Sequence, residues 1–207
     1  MPTSTFMNLS SEKKEKILSA SIVEFADKPF SEVSINKIIK NAKISRGSFY
    51  TYFADKYDLL MYLLERFKDI MEKYVINLDA SIKSDLEELI LSIHSYIYSL
   101  YENSIYQKFF FNIISYFHTH QDEETKNNRD KLPFINDCNK IYNVLDLSQF
   151  SFKDEKRIKQ VIEIALSLIK NTLYVTAING LTYEKSKNLL KDYLEILKHG
   201  YKEESNA

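Results

Sequence analysis

Glycine and proline occur three times each in 207 residues, and cysteine once. So few turn-formers, set among long stretches rich in Lys, Glu, Leu and Ile, exclude a loop-rich chain and point to one that is nearly all helix. No segment alternates apolar and polar residues as a half-buried strand would. A lone Cys138 excludes a disulfide framework and a thiolate metal cluster, and is expected as a buried structural thiol. The N-terminal run MPTSTFMNLSSEKKEKIL holds no apolar leader core. The greasiest run, VIEIALSLI from Val161 to Ile169, is too short for a bilayer and contains Glu163. A cytoplasmic protein without membrane contact is expected. A net charge of −1 argues against a polycation that coats nucleic acid indiscriminately. No Ser/His/Asp set, patterned carboxylate pair or glycine-rich phosphate loop is present, and His118 and His120 diverge on a helix, so no enzyme, metal or cofactor is expected.

What the chain does have is apolar content, 44% hydrophobic and 14% aromatic, enough for a packed core. Ser10 or Ser11 caps a first helix that buries Leu18, Ile22, Phe25 and Ala26 and stops before Pro29. Ser34 caps a second, with Ile35, Ile38, Ile39 and Ala42 on one side and Lys37 and Lys40 on the other. Ser45 caps a third only a few residues on. Two short helices joined by so brief a turn must cross steeply, which is a helix-turn-helix. Asp55 caps a long fourth helix with Asp58 in its first turn. Ser84 with Glu87, and Ser104 with Gln107, read as capping boxes for helices to about Tyr101 and His118. The polar stretch Thr119 to Pro133 reads as a loop.

The last two helices carry surplus apolar surface. Between Lys153 and Asn179, Ile158, Val161, Ile162, Ala165 and Ile169 cover one face while Ile164, Leu168 and Val175 cover another. After Gly180, a final helix carries Leu189, Leu190, Tyr193, Leu194, Ile196, Leu197 and Tyr201, and Gly200 ends it. A hairpin greasy on two sides needs a partner, and its own copy across a two-fold axis supplies one, which predicts a homodimer.

The stretch ISRGSFYTYFADK, Ile44 to Lys56, gives the third helix its chemistry. Phe49 and Phe53 share the core face, and Arg46, Ser48, Tyr50 and Thr51 point elsewhere. From Asn36 to Lys56 the basic residues are Lys37, Lys40, Lys43, Arg46 and Lys56, against one acid, Asp55. A recognition helix reads DNA near its N-terminus, where Arg46 sits with a planar fork that suits O6 and N7 of guanine or a phosphate. Gly47 lets the backbone come close to the duplex, Ser45, Ser48 and Thr51 offer hydroxyls, and Tyr50, Tyr52 and Lys56 can donate to phosphate. Ser34, Asn36 and Lys37 would hold the other side of the groove.

Phe25, Phe30, Ser34, Ile38, Ala42, Ile44, Ser45, Gly47, Phe49, Tyr50, Tyr52, Phe53, Lys56 and Leu59, at this spacing, resemble the DNA-binding domain of TetR-family transcriptional regulators. Two positions depart from the pattern: Pro29 stands where the family usually has glycine, and Lys43 occupies the glycine-favoured turn. The resemblance implies an all-α chain: a helix-turn-helix domain over residues 1–54, then a helical effector-binding and dimerisation domain over 55–207 that pairs through its last two helices. The expected function is a ligand-responsive repressor that binds a palindromic operator in double-stranded DNA as a homodimer and is released by a small hydrophobic effector. The resemblance also implies an apolar effector pocket, with His94, Tyr98, Phe109, Phe110, Ile113, Phe117, Tyr142, Asn171 and Tyr174 as its candidates. Most aromatics at helical spacing in that region are nevertheless expected as core. The competing expectation is a helical small-molecule binding protein or enzyme whose N-terminal bundle is only structural.

Overall fold

The structure, a computed structural model, describes residues 2–77, 85–101, 104–119 and 138–199. Ser84, the loop over residues 120–133, Gly200 and Tyr201 lie outside the described residues. The regular structure of the described residues is helical: α1 Ser4–Met7, α2 Ser11–Asp27, α3 Ile35–Ala42, α4 Arg46–Tyr52, α5 Lys56–Asn77, α6 Leu86–Tyr101, α7 Ser104–Thr119, α8 Cys138–Val144, α9 Glu155–Asn179 and α10 Tyr183–His199, with short 3₁₀ turns at Phe30–Glu32 and Leu147–Gln149. The chain divides into two compact units, residues 1–69 with 101–133, and residues 70–100 with 134–207.

The first unit holds the helix-turn-helix. Ser10 caps α2 by accepting from the Lys13 N–H at 3.4 Å, and Ser45 caps α4 by accepting from the Ser48 N–H at 3.0 Å. Asp55 and Asp58 form a reciprocal cap at the start of α5: Asp55 accepts from the Asp58 N–H at 2.8 Å, and Asp58 from the Ala54 N–H at 3.1 Å. Ser34 stands at the head of α3 but caps nothing with its side chain; its N–H instead donates to buried Glu24 at 3.0 Å. Pro29, with φ −54, sits within proline's own fixed range, so the departure from glycine leaves the backbone unstrained. Lys43 adopts φ 54 and ψ 46, the left-handed turn that ends α3, which costs a side-chain-bearing residue about 1 kcal/mol relative to glycine.

Two features of this unit were not expected. One is α1: Phe6, a lone aromatic in a polar run, is fully buried against Tyr52, Phe53 and Tyr62 at centroid distances of 5.8, 4.7 and 5.2 Å. The other is α7, which packs along α2. Phe109 of α7 meets Phe25 edge-on at 6.2 Å and Phe67 at 5.6 Å. Asn112 of α7 donates its amide to the carbonyls of Phe25, Ala26 and Lys28 at 3.0 to 3.1 Å, which satisfies the open C-terminal end of α2.

The second unit is a bundle of α6, α8, α9 and α10 with the last turns of α5. Asp85, one residue beyond the expected Ser84, caps α6 by accepting from the Glu87 and Glu88 N–H groups at 2.8 and 3.3 Å. Ile158, Ile162, Ala165, Ile169 and Leu173 of α9 are buried, with Leu190 and Leu194 of α10. Val161, placed with that face in the sequence, is half-buried, because its position falls at the edge of the stripe. Ile164 and Ile178 of α9 and Ile196 of α10 are 49%, 51% and 58% exposed. Among described helices α9 alone is long and apolar enough to cross a membrane, since its apolar face runs on past Ile169, but that face packs on α8 and α10. Cys138 is half-buried rather than buried.

Candidate functional site

The outer face of the helix-turn-helix is built where the N-terminal ends of α3 and α4 meet. Arg46 donates through Nη1 to Asn36 Oδ1 at 3.0 Å and through Nη2 to the Tyr50 hydroxyl at 3.5 Å, with its guanidinium 5.7 Å from the Tyr50 ring centroid. All three side chains are exposed, Tyr50 by 45%. A long arginine on a free surface would sample many rotamers; here one helix behind it and one turn ahead of it narrow that choice. Ser45 and Ser48 share a hydroxyl contact at 2.8 Å, and Thr51 returns its hydroxyl to the Gly47 carbonyl at 2.9 Å. Gly47 is exposed, and an added Cβ would meet only the Ser45 hydroxyl, at 3.8 Å, so its use is in leaving the surface low rather than in a special backbone angle. Lys37 is exposed and lies 3.9 Å from the buried Glu24 carboxylate.

Two residues named with this group stand apart from it. Tyr52 is 5% exposed, with its ring against Phe6, because it follows Arg46 by about 1.7 turns and so projects roughly 120° away from it, onto the core side. Lys56 directs its ammonium to the carbonyls of Phe30, Ser31 and Val33 at 2.8, 3.0 and 3.4 Å and rests 4.9 Å from the Phe30 ring, so it ties down the turn between α2 and α3. Partial burial pulls that ammonium below the usual lysine range. Thr3 is a positioning residue that the sequence alone did not reveal: its hydroxyl donates to the Thr51 carbonyl at 2.7 Å and its N–H to the Tyr52 carbonyl at 3.0 Å, closing the C-terminal end of α4. The signal was there in Thr3 and Phe6, a cap and a greasy residue three positions apart.

The candidates for effector contact divide between the units. Phe109, Phe110, Ile113 and Phe117 are buried in the first, where Phe109 and Phe110 pack on Phe67. His94, Tyr98, Tyr142, Asn171 and Tyr174 belong to the second. Asn171 is exposed, and Tyr98, Tyr142 and Tyr174 are half-buried. His94 is fully buried, 2.8 Å from the Ser186 hydroxyl. Burial first, and the Lys187 charge second, hold its pKa down from 6.5 to about 4. The unfolded chain therefore binds the proton more readily than the folded one between those values, so stability is complete above pH 6.5 and falls as pH drops toward 4. The expected loss between pH 7.5 and 5 is about 2 kcal/mol from this group. Urea unfolding of the parent and of His94→Gln at both pH values measures it, since the variant lacks this component while the other histidines contribute equally to both.

Residues 17–63 match the family model described as bacterial regulatory proteins, tetR family. The chain is 34% identical over 67 residues to the HTH-type transcriptional regulator YuxN of Bacillus subtilis (strain 168), an alignment that takes in 32% of this chain and 23% of YuxN. It thus spans about a quarter of the length of that curated relative. Its fold is similar to that of a TetR-family transcriptional regulator from Syntrophomonas wolfei, with a TM-score of 0.68 and 21% identity over 92% of this chain and 97% of the other. It is also similar to the transcriptional regulator FadR from Bacillus subtilis in complex with stearoyl-CoA, with a TM-score of 0.64 and 19% identity over 90% and 98% of the two chains. Residues 17–63 of this chain are therefore similar to the DNA-binding segment of bacterial regulatory proteins of the tetR family, and the chain as a whole shares the fold of TetR-family regulators.

Proposed function

We propose that the protein is a homodimeric, ligand-responsive repressor acting in the cytoplasm on a palindromic DNA operator. The observation that carries this reading is the Asn36–Arg46–Tyr50 cluster, a pre-set guanidinium on the exposed end of α4. Ser34, Asn36, Lys37, Ser45, Arg46, Gly47, Ser48, Tyr50 and Thr51 form the DNA face, with Lys56 and Tyr52 acting through the turn and the core that they hold. Support for the dimer comes from the exposed Ile164, Ile178 and Ile196 with half-buried Leu168, Val175, Leu189 and Tyr193 on the last two helices, an apolar face that a second copy would cover. Two reading heads about 34 to 36 Å apart then enter successive major grooves. The effector is a small hydrophobic compound bound in the C-terminal domain, residues 55–207, in keeping with the stearoyl-CoA held by the FadR neighbour. Helix α5 contributes residues to both compact units, so a ligand that favours a different α5 position would oppose DNA binding, with a coupling typically of about 1 to 3 kcal/mol.

The test is selection of bound duplexes from a random pool, followed by anisotropy titrations of the selected palindrome with and without stearoyl-CoA. A palindromic consensus and a fall in affinity with the acyl compound support the reading; a non-palindromic consensus, or monomeric binding, overturns it. Salt supplies a second measurement. With Lys37 on a phosphate and Arg46 at a base edge in each half-site, log K against log salt should have a slope of about −2. Lys56→Gln, which removes a charge already turned inward, should leave that slope unchanged while lowering the melting temperature.

A further inference from the structure

Three polar side chains are joined in series inside the second unit and a fourth lies one helical turn from them on the same face, with more hydrogen-bonding capacity than the protein itself fills. His94 comes from α6, Thr172 and Thr176 from one face of α9 a turn apart, and Ser186 from α10; all four are buried. The Thr176 hydroxyl donates to Ser186 Oγ at 2.6 Å. Ser186 has one proton of its own, and the group beside it is His94 Nε2 at 2.8 Å. A chain of donation from Thr176 through Ser186 to Nε2 leaves Nε2 as the acceptor, which places the ring's single proton on Nδ1. His94 Nδ1 and Thr172 Oγ1 are the buried side-chain atoms without a partner among the described residues. A buried N–H with nothing to receive it is costly, and native proteins seldom keep one without a use. Nearby tyrosines do not fill the gap: Tyr98 donates its hydroxyl to the Leu181 carbonyl at 3.1 Å, and Tyr183 lies ring to ring with His94 at 6.1 Å. Lys187 sets its ammonium 5.6 Å from the Tyr183 ring and adds positive potential that favours an electron-rich atom and opposes a cation.

We propose that His94 Nδ1–H, with the Thr172 hydroxyl, is the polar anchor of a ligand site in this unit, and that it grips an acyl oxygen, the carbonyl or carboxylate of a hydrophobic acyl compound. The inference rests on the effector binding proposed above and names the chemistry that the effector must carry. An amine or other pure donor has no acceptor here, and a plain hydrocarbon leaves the N–H unpaired. Burial keeps the imidazole neutral at pH 7, so one tautomer persists.

The test uses the full-length protein labelled with ¹⁵N-histidine, and three probes: decanoate, decanoyl-CoA, and the S-decyl-CoA thioether in which CH₂ replaces the carbonyl. The free protein should show a neutral His94 protonated at Nδ1. At least one acyl probe should shift that N–H and bind roughly tenfold more tightly than the thioether, the scale expected for one buried hydrogen bond. Decanoate binding alone assigns a free carboxylate, and decanoyl-CoA binding alone assigns a thioester. His94→Gln offers Ser186 its side-chain oxygen as the acceptor but places no N–H at the Nδ1 position, and should lose the tenfold preference; His94→Asn restores an N–H near Nδ1 and should recover most of it. An Nε2-protonated ring in the free protein, or acyl binding undiminished in His94→Gln, overturns the anchor, as does an N–H matched only by water with no probe bound. Probes that release duplex DNA from parent and His94→Gln alike leave the effector reading standing without the anchor. No binding of either acyl probe, with palindrome binding intact, removes both anchor and acyl effector.

Discussion

Arg46→Ala should weaken operator binding by about 30-fold to 10⁴-fold, because a dimer loses two guanidinium contacts, each worth about 1 to 3 kcal/mol of discrimination against the wrong base. The fold should be untouched: Arg46 is exposed, and its partners Asn36 and Tyr50 are exposed too and lose nothing to solvent. Arg46→Lys is the sharper control. It keeps the charge, so the salt slope should stay near that of the parent, but an ammonium cannot make the paired donation to O6 and N7, and selectivity for the preferred half-site should fall. Tyr50→Phe removes one tether and keeps the ring, and should cost a few-fold. Equal affinity and equal selectivity in Arg46→Ala would remove Arg46 from base reading, whatever the rest of the surface does.

Phe6→Ala should destabilise the N-terminal unit by about 3 to 5 kcal/mol, the range for deleting a fully buried phenyl ring. The ring fills the space between Phe53, Tyr52 and Tyr62, and α1 carries Thr3, whose two hydrogen bonds close the end of α4. Urea denaturation gives the size of the effect. Amide exchange locates it: residues 51–53 should lose protection first, since the carbonyls of Thr51 and Tyr52 lose their outside donors. Thr3→Val, which removes the hydroxyl and keeps its shape, should loosen the same amides at a cost of about 1 kcal/mol. An unchanged urea midpoint in Phe6→Ala would mean that α1 is not docked.

The helix-turn-helix was legible because its signals are local. Ser45 caps the helix that begins at Arg46, Phe49 and Phe53 repeat at helical spacing, and the turn at Lys43 takes the left-handed conformation that the position demands, whatever residue fills it. Long-range placement was not legible in the same way. Nothing in the run from Ser104 to Thr119 says that Phe109 will lie on Phe25 of α2, because amphipathic spacing names a buried face and not its neighbour. Phe6 escaped notice for a related reason: a one-turn helix has no period to detect. Tyr52 shows the limit of reading a motif by residue type alone, since a tyrosine is equally suited to phosphate and to core, and only its angular position about α4 decides. The cluster around His94 needed all three of its helices in place before the bond inventory could be drawn at all.

The tie between Asn112 and the three carbonyls at the end of α2 bears on how the molecule can be cut. The sequence invites excision of a small portable reader from its N-terminal part. Any piece that ends before Ser104 would part α2 from α7, leaving those carbonyls to water and the Phe25 edge without its aromatic neighbour. A transplantable version of this reader needs α7 supplied as well, as a grafted segment or a redesigned surface on α2.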